Sequence, residues 1–129
     1  MSKIPEELLY SSDHEWAAEA DGVVTVGITD HAQTQLGDIT YVELPDVGVE
    51  LERGDGFGEI ESNKSVSQLF APVSGEVIAI NEDLDDNPEV INDDPYEAGW
   101  MVKIRFTVPD QLAELMNADV YGEHCESEA

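Results

Sequence analysis

Lysine is scarce in this sequence, and the surroundings of one lysine indicate a specific chemistry. Lys64 lies between two short segments whose side chains alternate as they do in β-strands; the other lysines are Lys3 and Lys103. Ser62 and Asn63 directly before it favour a tight turn. The sequence therefore predicts Lys64 at an exposed hairpin tip, where its amine can be acylated and its four-carbon stem can swing an attached group.

A surface lysine also has a plainer explanation. Glu59 and Glu61 are close to Lys64 in sequence, and a surface ion pair with either would contribute about 0–1 kcal/mol. On spacing alone, this pairing is the favoured interpretation of Lys64.

Other residues with ligand or nucleophile chemistry do not form a recognisable pattern. His14 and His31 have no supporting acid at helical spacing, so we expect them to pack or to cap. His124 and Cys125 are sequence neighbours, which seldom face each other, and we expect a mobile tail without catalysis there. The acid-rich stretch 81–95 lacks the central Gly and terminal Glu of a calcium-binding loop. No metal site is predicted.

The charge balance restricts the possible partners. Thirty acidic and five basic residues give a formal net charge of −25. Nucleic acids and anionic membranes would be repelled, because binding to either relies on Lys and Arg. The acids are interleaved with apolar residues rather than segregated, so the pattern favours a folded, halophilic protein whose self-repulsion is screened by high salt.

Size and hydropathy predict one soluble domain. The 129 residues are 41% hydrophobic, which suffices for one core, and no apolar run is long enough to span a bilayer. The start, MSKIPEELLY, lacks the basic-then-apolar order of a signal peptide, so we expect a cytoplasmic location. The single cysteine excludes an intramolecular disulfide.

Short strands are predicted to position the lysine. Asp21-Gly22 favours a type I′ turn and hence a hairpin of 16–20 with 23–28. Asp30 is predicted to cap a helix over 30–36 that ends at Gly37. Further β-rich segments cover 39–44, 49–51, 56–61, 67–70, 76–80 and 101–107. Many short strands at close spacing indicate a sandwich or a barrel.

The remaining segments are less regular. Residues 81–95 have too little apolar periodicity for an element and are predicted as a loop with at most one turn. Thr107 with Asp110 resembles a capping box, and Pro109 suits a first turn. Apolar residues then share one helical face, which predicts a C-terminal helix containing Leu112, Leu115 and Met116.

The surroundings of Lys64 resemble those of a known family. GFGEIESNKS at 56–65 and APVSGEV at 71–77 are closely similar to the lipoyl-attachment region of glycine cleavage H proteins. Further matches in family order are HEW at 14–16, GITDHAQ at 27–33, LGD at 36–38, VELP at 42–45, PY at 95–96 and GWM at 99–101. Lipoyl domains of 2-oxo acid dehydrogenases usually have Asp-Lys-Ala at this point and biotin carriers Met-Lys-Met. The sequence departs from the usual family residues at Asn63, Ser65 and Gln68. These differences affect the expected contacts near the lysine and not the attachment itself.

The resemblance implies a fold, a cofactor and partners. The expected fold is all-β with short flanking helices, the barrel-sandwich hybrid of lipoyl and biotinyl carriers, as one domain over 1–129 with a C-terminal helical segment. Lys64 matches the lysine that carries covalent lipoate. The implied role is non-catalytic carriage of the aminomethyl group of glycine from glycine decarboxylase (P protein) to an aminomethyltransferase (T protein). Dihydrolipoyl dehydrogenase (L protein) reoxidises the dithiol, and a lipoate-attaching enzyme is a further implied partner.

The resemblance also implies a resting place for the arm. The segments around His14-Glu15 and 30–32 resemble the surface that faces the arm in the family. Glu15 would hold a cationic amine, while Ile28 and Ala32 would exclude water. Two alternatives remain: an H-like protein that relays lipoate to other complexes, and an unmodified acidic β-rich adaptor.

Overall fold

The fold combines two antiparallel sheets with short helices. The computed structural model describes residues 4–128, with side chains as far as 127. The strands are β1 Leu9–Tyr10, β2 Glu15–Ala20, β3 Val23–Ile28, β4 Ile39–Glu43, β5 Glu50–Leu51, β6 Gly56–Ser62, β7 Val66–Phe70, β8 Gly75–Ile80 and β9 Val102–Phe106. The helices are α1 Asp30–Leu36, α2 Asp83–Asp86, α3 Val90–Asp93, α4 Asp110–Ala113 and α5 Ala118–Glu128.

The sheets differ in size and both contribute to one core. The larger sheet has the strand order β1-β2-β3-β9-β8-β5, and the smaller has the order β4-β6-β7. Buried Val24 and Val26 of β3 belong to the same apolar cluster as Val42, Ile60 and Leu69 of the smaller sheet. The predicted all-β class with short helices is confirmed.

The first predicted hairpin is confirmed at its turn. Asp21 and Gly22 have φ angles of 53° and 85°, the left-handed backbone that a type I′ turn requires at both positions. Ala20 therefore pairs directly with Val23, and β2 and β3 remain in register as far as Glu15 and Ile28. This register brings Glu15 and Ile28 to the same end of the sheet.

Helix α1 has the predicted bounds, but its capping residue is Thr29 rather than Asp30. Thr29 has an extended backbone and its Oγ1 accepts from Ala32 N at 3.2 Å. Asp30 is the first helical residue instead, and its carboxylate accepts from Gln33 Nε2 at 2.6 Å. Both residue types are good caps, so the sequence left a one-residue ambiguity.

Residues 81–95 contain more structure than the predicted loop. They form the one-turn helices α2 and α3, each of which buries one apolar side chain, Leu84 and Ile91. Asn81, at the start of this segment, donates from Nδ2 to the carbonyls of Ala98 and Trp100. These hydrogen bonds join the start of the segment to the residues just before β9. Two isolated apolar residues give no periodic signal, which is why the sequence did not predict these turns.

The C-terminal segment is helical, as predicted, but in two parts. Helix α4 stops at Ala113, and Met116 then pairs with Tyr10 through two 2.8 Å backbone hydrogen bonds. The expected capping box is absent from α4, because the Thr107 hydroxyl donates to the Ser74 carbonyl.

The expectation of a mobile tail is wrong. Residues 118–128 form α5, and its Tyr121 is fully buried. The Tyr121 ring stacks on Tyr10 at a centroid distance of 4.6 Å and joins a second apolar cluster with Leu8 and Trp16. No helix within residues 4–128 has the length and apolar character needed to cross a membrane.

Candidate functional site

Lys64 occupies the exposed turn between β6 and β7, where the alternation of the flanking residues predicted it. Ser62 organises this turn: its Oγ accepts from Lys64 N at 3.2 Å and from Ser65 N at 3.1 Å. Ser62 N also donates to the Ser65 carbonyl at 2.9 Å. The backbone at the lysine is thus held while its side chain projects into solvent.

The turn is also fastened to the end of α1. Asn63 N donates to the Asp38 carbonyl at 3.1 Å. Gly37 has a φ of +87°, and a β-carbon there would lie 2.9 Å from Lys64 Cε, so the lysine stem passes directly over this glycine. This backbone favours glycine, and a side chain at position 37 would have to displace the end of the lysine stem.

The plainer explanation of Lys64 requires an ion pair with a nearby acid. Within residues 4–128 the structure shows no ion pair between Lys64 and Glu59 or Glu61. Lys103 has a different setting: it lies in β9, with its amine 5.3 Å from the centre of the Trp100 ring. Lys3 lies outside the described residues. Of the two described lysines, Lys64 is the one that lies in a hairpin turn.

A cleft of about 320 Å³ begins beside the lysine. Ser65 and Val66, directly after Lys64, form part of its wall. The sequence-predicted Ile28 and Ala32 line it together. The other lining residues come from the β2 approach, from α1 and from the β6–β7 hairpin: Asp13, His14, Gln35, Leu36, Ile60, Ser67, Gln68 and Leu69. The cleft is thus lined by apolar and polar side chains alike, and it begins at the residues that directly follow Lys64.

Glu15 lies in a neighbouring groove rather than in this cleft. That groove, of about 340 Å³, is lined by Ser11, Glu15 and Arg53 among others, and Asp13 borders both spaces. Glu15 is only 2% exposed and is therefore a buried acid. Its carboxylate accepts from Ser11 Oγ at 2.6 Å and from Phe70 N at 3.3 Å, which connects β2 to the end of β7.

Burial governs the protonation of Glu15. Removal of the carboxylate from water raises its pKa to about 8, and the nearby Asp13 adds to the rise, although the Ser11 and Phe70 hydrogen bonds oppose it. An acid with this pKa is largely protonated at neutral pH. It would lose its proton more readily when a cation arrives beside it.

The structure also brings together histidines that the sequence analysis treated as isolated. The His14 and His31 rings are 4.8 Å apart, and His14 Nδ1 is 2.7 Å from the hydroxyl of Tyr121. The Cys125 sulfur lies in the same group of potential ligand atoms. The sequence did not reveal this cluster, because Cys125 is brought to it by a helix that lacked an apolar pattern.

Most of the chain matches one known protein family. The sequence model of the glycine cleavage H-protein family matches residues 8–128. The chain belongs to the glycine cleavage H-protein family. Members of this family are the lipoyl carriers of the glycine cleavage system, and the resemblance drawn from the residues around Lys64 is confirmed at the level of the family.

H proteins from other organisms match nearly the whole chain. The glycine cleavage system H protein of Anaeromyxobacter sp. (strain K) is 55% identical over 119 residues, which are 92% of this chain and 93% of that protein. The H protein of Chromohalobacter salexigens is 52% identical over 122 residues, covering 94% and 93% of the two chains.

A solved H-protein structure confirms the barrel-sandwich fold. The crystal structure of a glycine cleavage system H protein from Mycobacterium marinum matches with a TM-score of 0.86 at 41% identity. The match covers 93% of this chain and 97% of the other. The two sheets described above are therefore the lipoyl-carrier architecture that the family resemblance implied.

Proposed function

We propose that this chain carries a lipoyl group as an amide on Lys64 and transports the aminomethyl group of glycine within the glycine cleavage system. The observation that carries this proposal is the setting of Lys64. Its backbone is held by Ser62, its stem lies over Gly37, and no acid of the described residues pairs with its amine.

The residues around Lys64 fit an attached group. The exposed turn gives a modifying enzyme access to the amine, and the backbone hydrogen bonds present that amine at a fixed place. The lipoyl disulfide would supply an electron acceptor and a sulfur that carries the aminomethyl group. The protein contributes the position of the lysine and a nearby space that limits water.

The cleft beside the hairpin is the proposed resting place of the arm. Ser65 and Val66 lead from Lys64 into it, and Ile28 and Ala32 provide an apolar wall that keeps water from the cargo. The cleft meets the Glu15 groove at Asp13. An arm that extends past Asp13 would bring a cationic amine to Glu15, whose carboxylate would then ionise and hold it by a charge-assisted hydrogen bond.

The proposed partners follow from the carrier role. Glycine decarboxylase would load the arm, the aminomethyltransferase would unload it, and dihydrolipoyl dehydrogenase would reoxidise the dithiol, while a lipoate-attaching enzyme modifies Lys64. In this scheme the chain presents a substrate and does not catalyse the reaction itself.

The assignment is tested by mass and by a matched pair of variants. Peptide mapping of protein from lipoate-replete native cells should show one lipoyl group, on the Lys64 peptide. Lys64→Arg keeps the charge but removes the acylatable amine, so modification and glycine cleavage in the reconstituted system should both be lost. The control Lys103→Arg should retain both.

Three results would contradict the proposal. Modification of a different lysine would overturn the attachment site. Absence of modification in native cells would favour the acidic adaptor. A lipoylated chain that cannot support glycine cleavage with the partner enzymes would favour a lipoate relay.

A further inference from the structure

Two histidines and the single cysteine meet beside the C-terminal helix. His14 precedes β2, His31 lies in α1 and Cys125 lies in α5. All three are half-buried, and one potential ligand atom from each lies within 4.8 Å of the others. Residues far apart in sequence thus place two imidazole nitrogens and a thiol around one small volume.

The surroundings hold the first of these histidines in place. His14 has a φ of 68°, a left-handed backbone that is uncommon outside glycine and often marks a functional constraint. Its Nδ1 is 2.7 Å from the Tyr121 hydroxyl, which is 2.6 Å from Thr29 Oγ1. Thr29 and Tyr121 are fully buried. Such hydrogen-bonded support of a histidine ring is typical of metal sites, where outer partners fix the orientation of the ligands.

We propose that His14, His31 and Cys125 form a binding site for a divalent transition metal ion of the zinc type. Imidazole and thiolate are ligands that favour Zn²⁺ over Mg²⁺ or Ca²⁺, which prefer oxygen. On binding, the Cys125 thiol releases its proton to solvent, a metal–sulfur bond forms, and the neutral histidines each donate a nitrogen lone pair. A solvent molecule completes four-fold coordination.

The geometry needs a small closure. Metal–nitrogen and metal–sulfur bonds of about 2.0–2.3 Å place tetrahedral ligand atoms about 3.3–3.7 Å apart. The ligand atoms here lie within 4.8 Å, so shifts of about 1 Å in side-chain position are sufficient. The net charge of −25 raises the local concentration of cations around the molecule and so favours occupancy.

His124 is a neighbour of the site rather than a ligand. Its ring centre is 5.5 Å from that of His14, but its Nε2 lies 3.1 Å from the Ser12 carbonyl. His124 is therefore the natural control, since it is a histidine on the same helix, next in sequence to the proposed ligand.

A bound metal would join three parts of the fold. It would fasten α5 to the start of β2 and to α1, and His14 would place it at the border of the cleft beside Lys64. This inference does not depend on lipoylation, so its test can succeed or fail independently of the carrier proposal.

The test uses Co²⁺ as a spectroscopic probe of the full-length chain with its lipoyl group absent or oxidised, so that Cys125 is the only thiol. Molar potassium nitrate screens binding to surface carboxylates. We expect one Co²⁺ per chain with a thiolate-to-metal charge-transfer band, displacement by Zn²⁺, and release of the thiol proton. Exclusively octahedral, oxygen-type spectra would overturn the proposal.

Variants assign the ligands. Loss of an outer-shell partner alone lowers metal affinity by about 10–100-fold, so Cys125→Ser and His31→Gln should each lower Co²⁺ affinity by more than about tenfold. Cys125→Ser should also abolish the charge-transfer band. Circular dichroism checks that each variant is folded, and His124→Gln should bind as the wild type does. Unchanged affinity in folded Cys125→Ser, or an equal loss in His124→Gln, would contradict the assigned ligands.

Discussion

Among the acidic side chains, Glu15 combines burial with hydrogen bonds to two separate elements. Its pKa is raised to about 8 because burial penalises the charged form. The folded protein therefore holds a proton on Glu15 that the unfolded chain, with an ordinary value near 4.5, has already lost. The stability that this group provides is fully present below about pH 4.5 and is lost as the pH rises through about 8.

This pH dependence of the stability gives a prediction for Glu15→Gln. The amide resembles the protonated acid, so the variant should have stability similar to the wild type below about pH 4.5 and should exceed it by a growing margin as the pH rises, up to a few kcal/mol at pH 9. Chemical denaturation at several pH values measures the difference. The exposed Glu19 of the same strand supplies the control, because Glu19→Gln should show no such trend. A difference that does not vary with pH would contradict the buried, protonated state.

The same variant has a functional readout. In the proposed carrier, an amide at position 15 cannot form an ion pair with the cationic amine of the cargo. The Lys64-lipoylated, aminomethyl-loaded Glu15→Gln protein should therefore release ammonia faster than the wild type when the aminomethyltransferase is absent. Equal rates in folded proteins would restrict Glu15 to a structural role.

Site residues that depend on local contacts could be predicted from the sequence, whereas those that depend on distant contacts could not. The exposure of Lys64 follows from its immediate neighbours, because alternating strands and Ser62-Asn63 specify a hairpin tip without reference to the rest of the chain. The burial of Glu15 depends on the amide of Phe70, 55 residues away. The contact of Cys125 with the histidines likewise depends on how α5 packs, which no local pattern indicates.

At the level of elements, α5 depends on tertiary contacts more than on its own sequence. Eleven residues are too few for a stable isolated helix, and those of α5 are mostly polar or acidic. Tyr121 supplies its main anchor by stacking on Tyr10, and the Tyr121 hydroxyl bonds with Thr29 and His14. The turn at Asp21-Gly22 was predictable because two adjacent residues determine it, whereas α5 is stabilised by partners that the sequence does not reveal.

We expect graded effects from substitutions at Tyr121. Tyr121→Phe keeps the stacked ring but leaves Thr29 without one buried hydrogen-bond partner, at a cost of about 1–3 kcal/mol. Tyr121→Ala also removes the ring and should cost about 3–5 kcal/mol, with faster amide hydrogen exchange across 118–128. Urea denaturation and hydrogen exchange measure both effects.

Val120 provides the control on the same helix. It is 46% exposed, so Val120→Ala should change the free energy of unfolding by no more than about 0.5 kcal/mol. An equal effect of Val120→Ala and Tyr121→Ala would show that the buried ring does not anchor α5.

For the molecule as a whole, charge repulsion opposes the packed core. The net charge is −25, and the ion pairs shown for the described part of the chain, Arg53 with Glu114 and Arg105 with Glu76, are on the surface. Surface pairs contribute little, so they do not offset the repulsion among the remaining acids. The two sheets confirm that a core forms despite this charge, as the interleaving of apolar and acidic residues predicted.

Salt should therefore stabilise the fold. The melting temperature should rise steeply from low to molar KCl, because the Debye length falls to about 3 Å near 1 M and repulsion is screened. Differential scanning calorimetry measures the change, with sucrose as an uncharged comparison. A melting temperature that does not respond to KCl, or responds no more than to sucrose, would contradict this account.

The fixed root of Lys64 has a kinetic consequence for the proposed carrier. Because hydrogen bonds to Ser62 and Asp38 hold the turn in place, the reach of the arm is set by the lysine stem and its attached group alone. In the proposed carrier, every enzyme that serves the arm would approach the same end of this small molecule and would compete for it. The throughput of the system would then depend on how quickly each enzyme leaves and on how many carriers are available per enzyme.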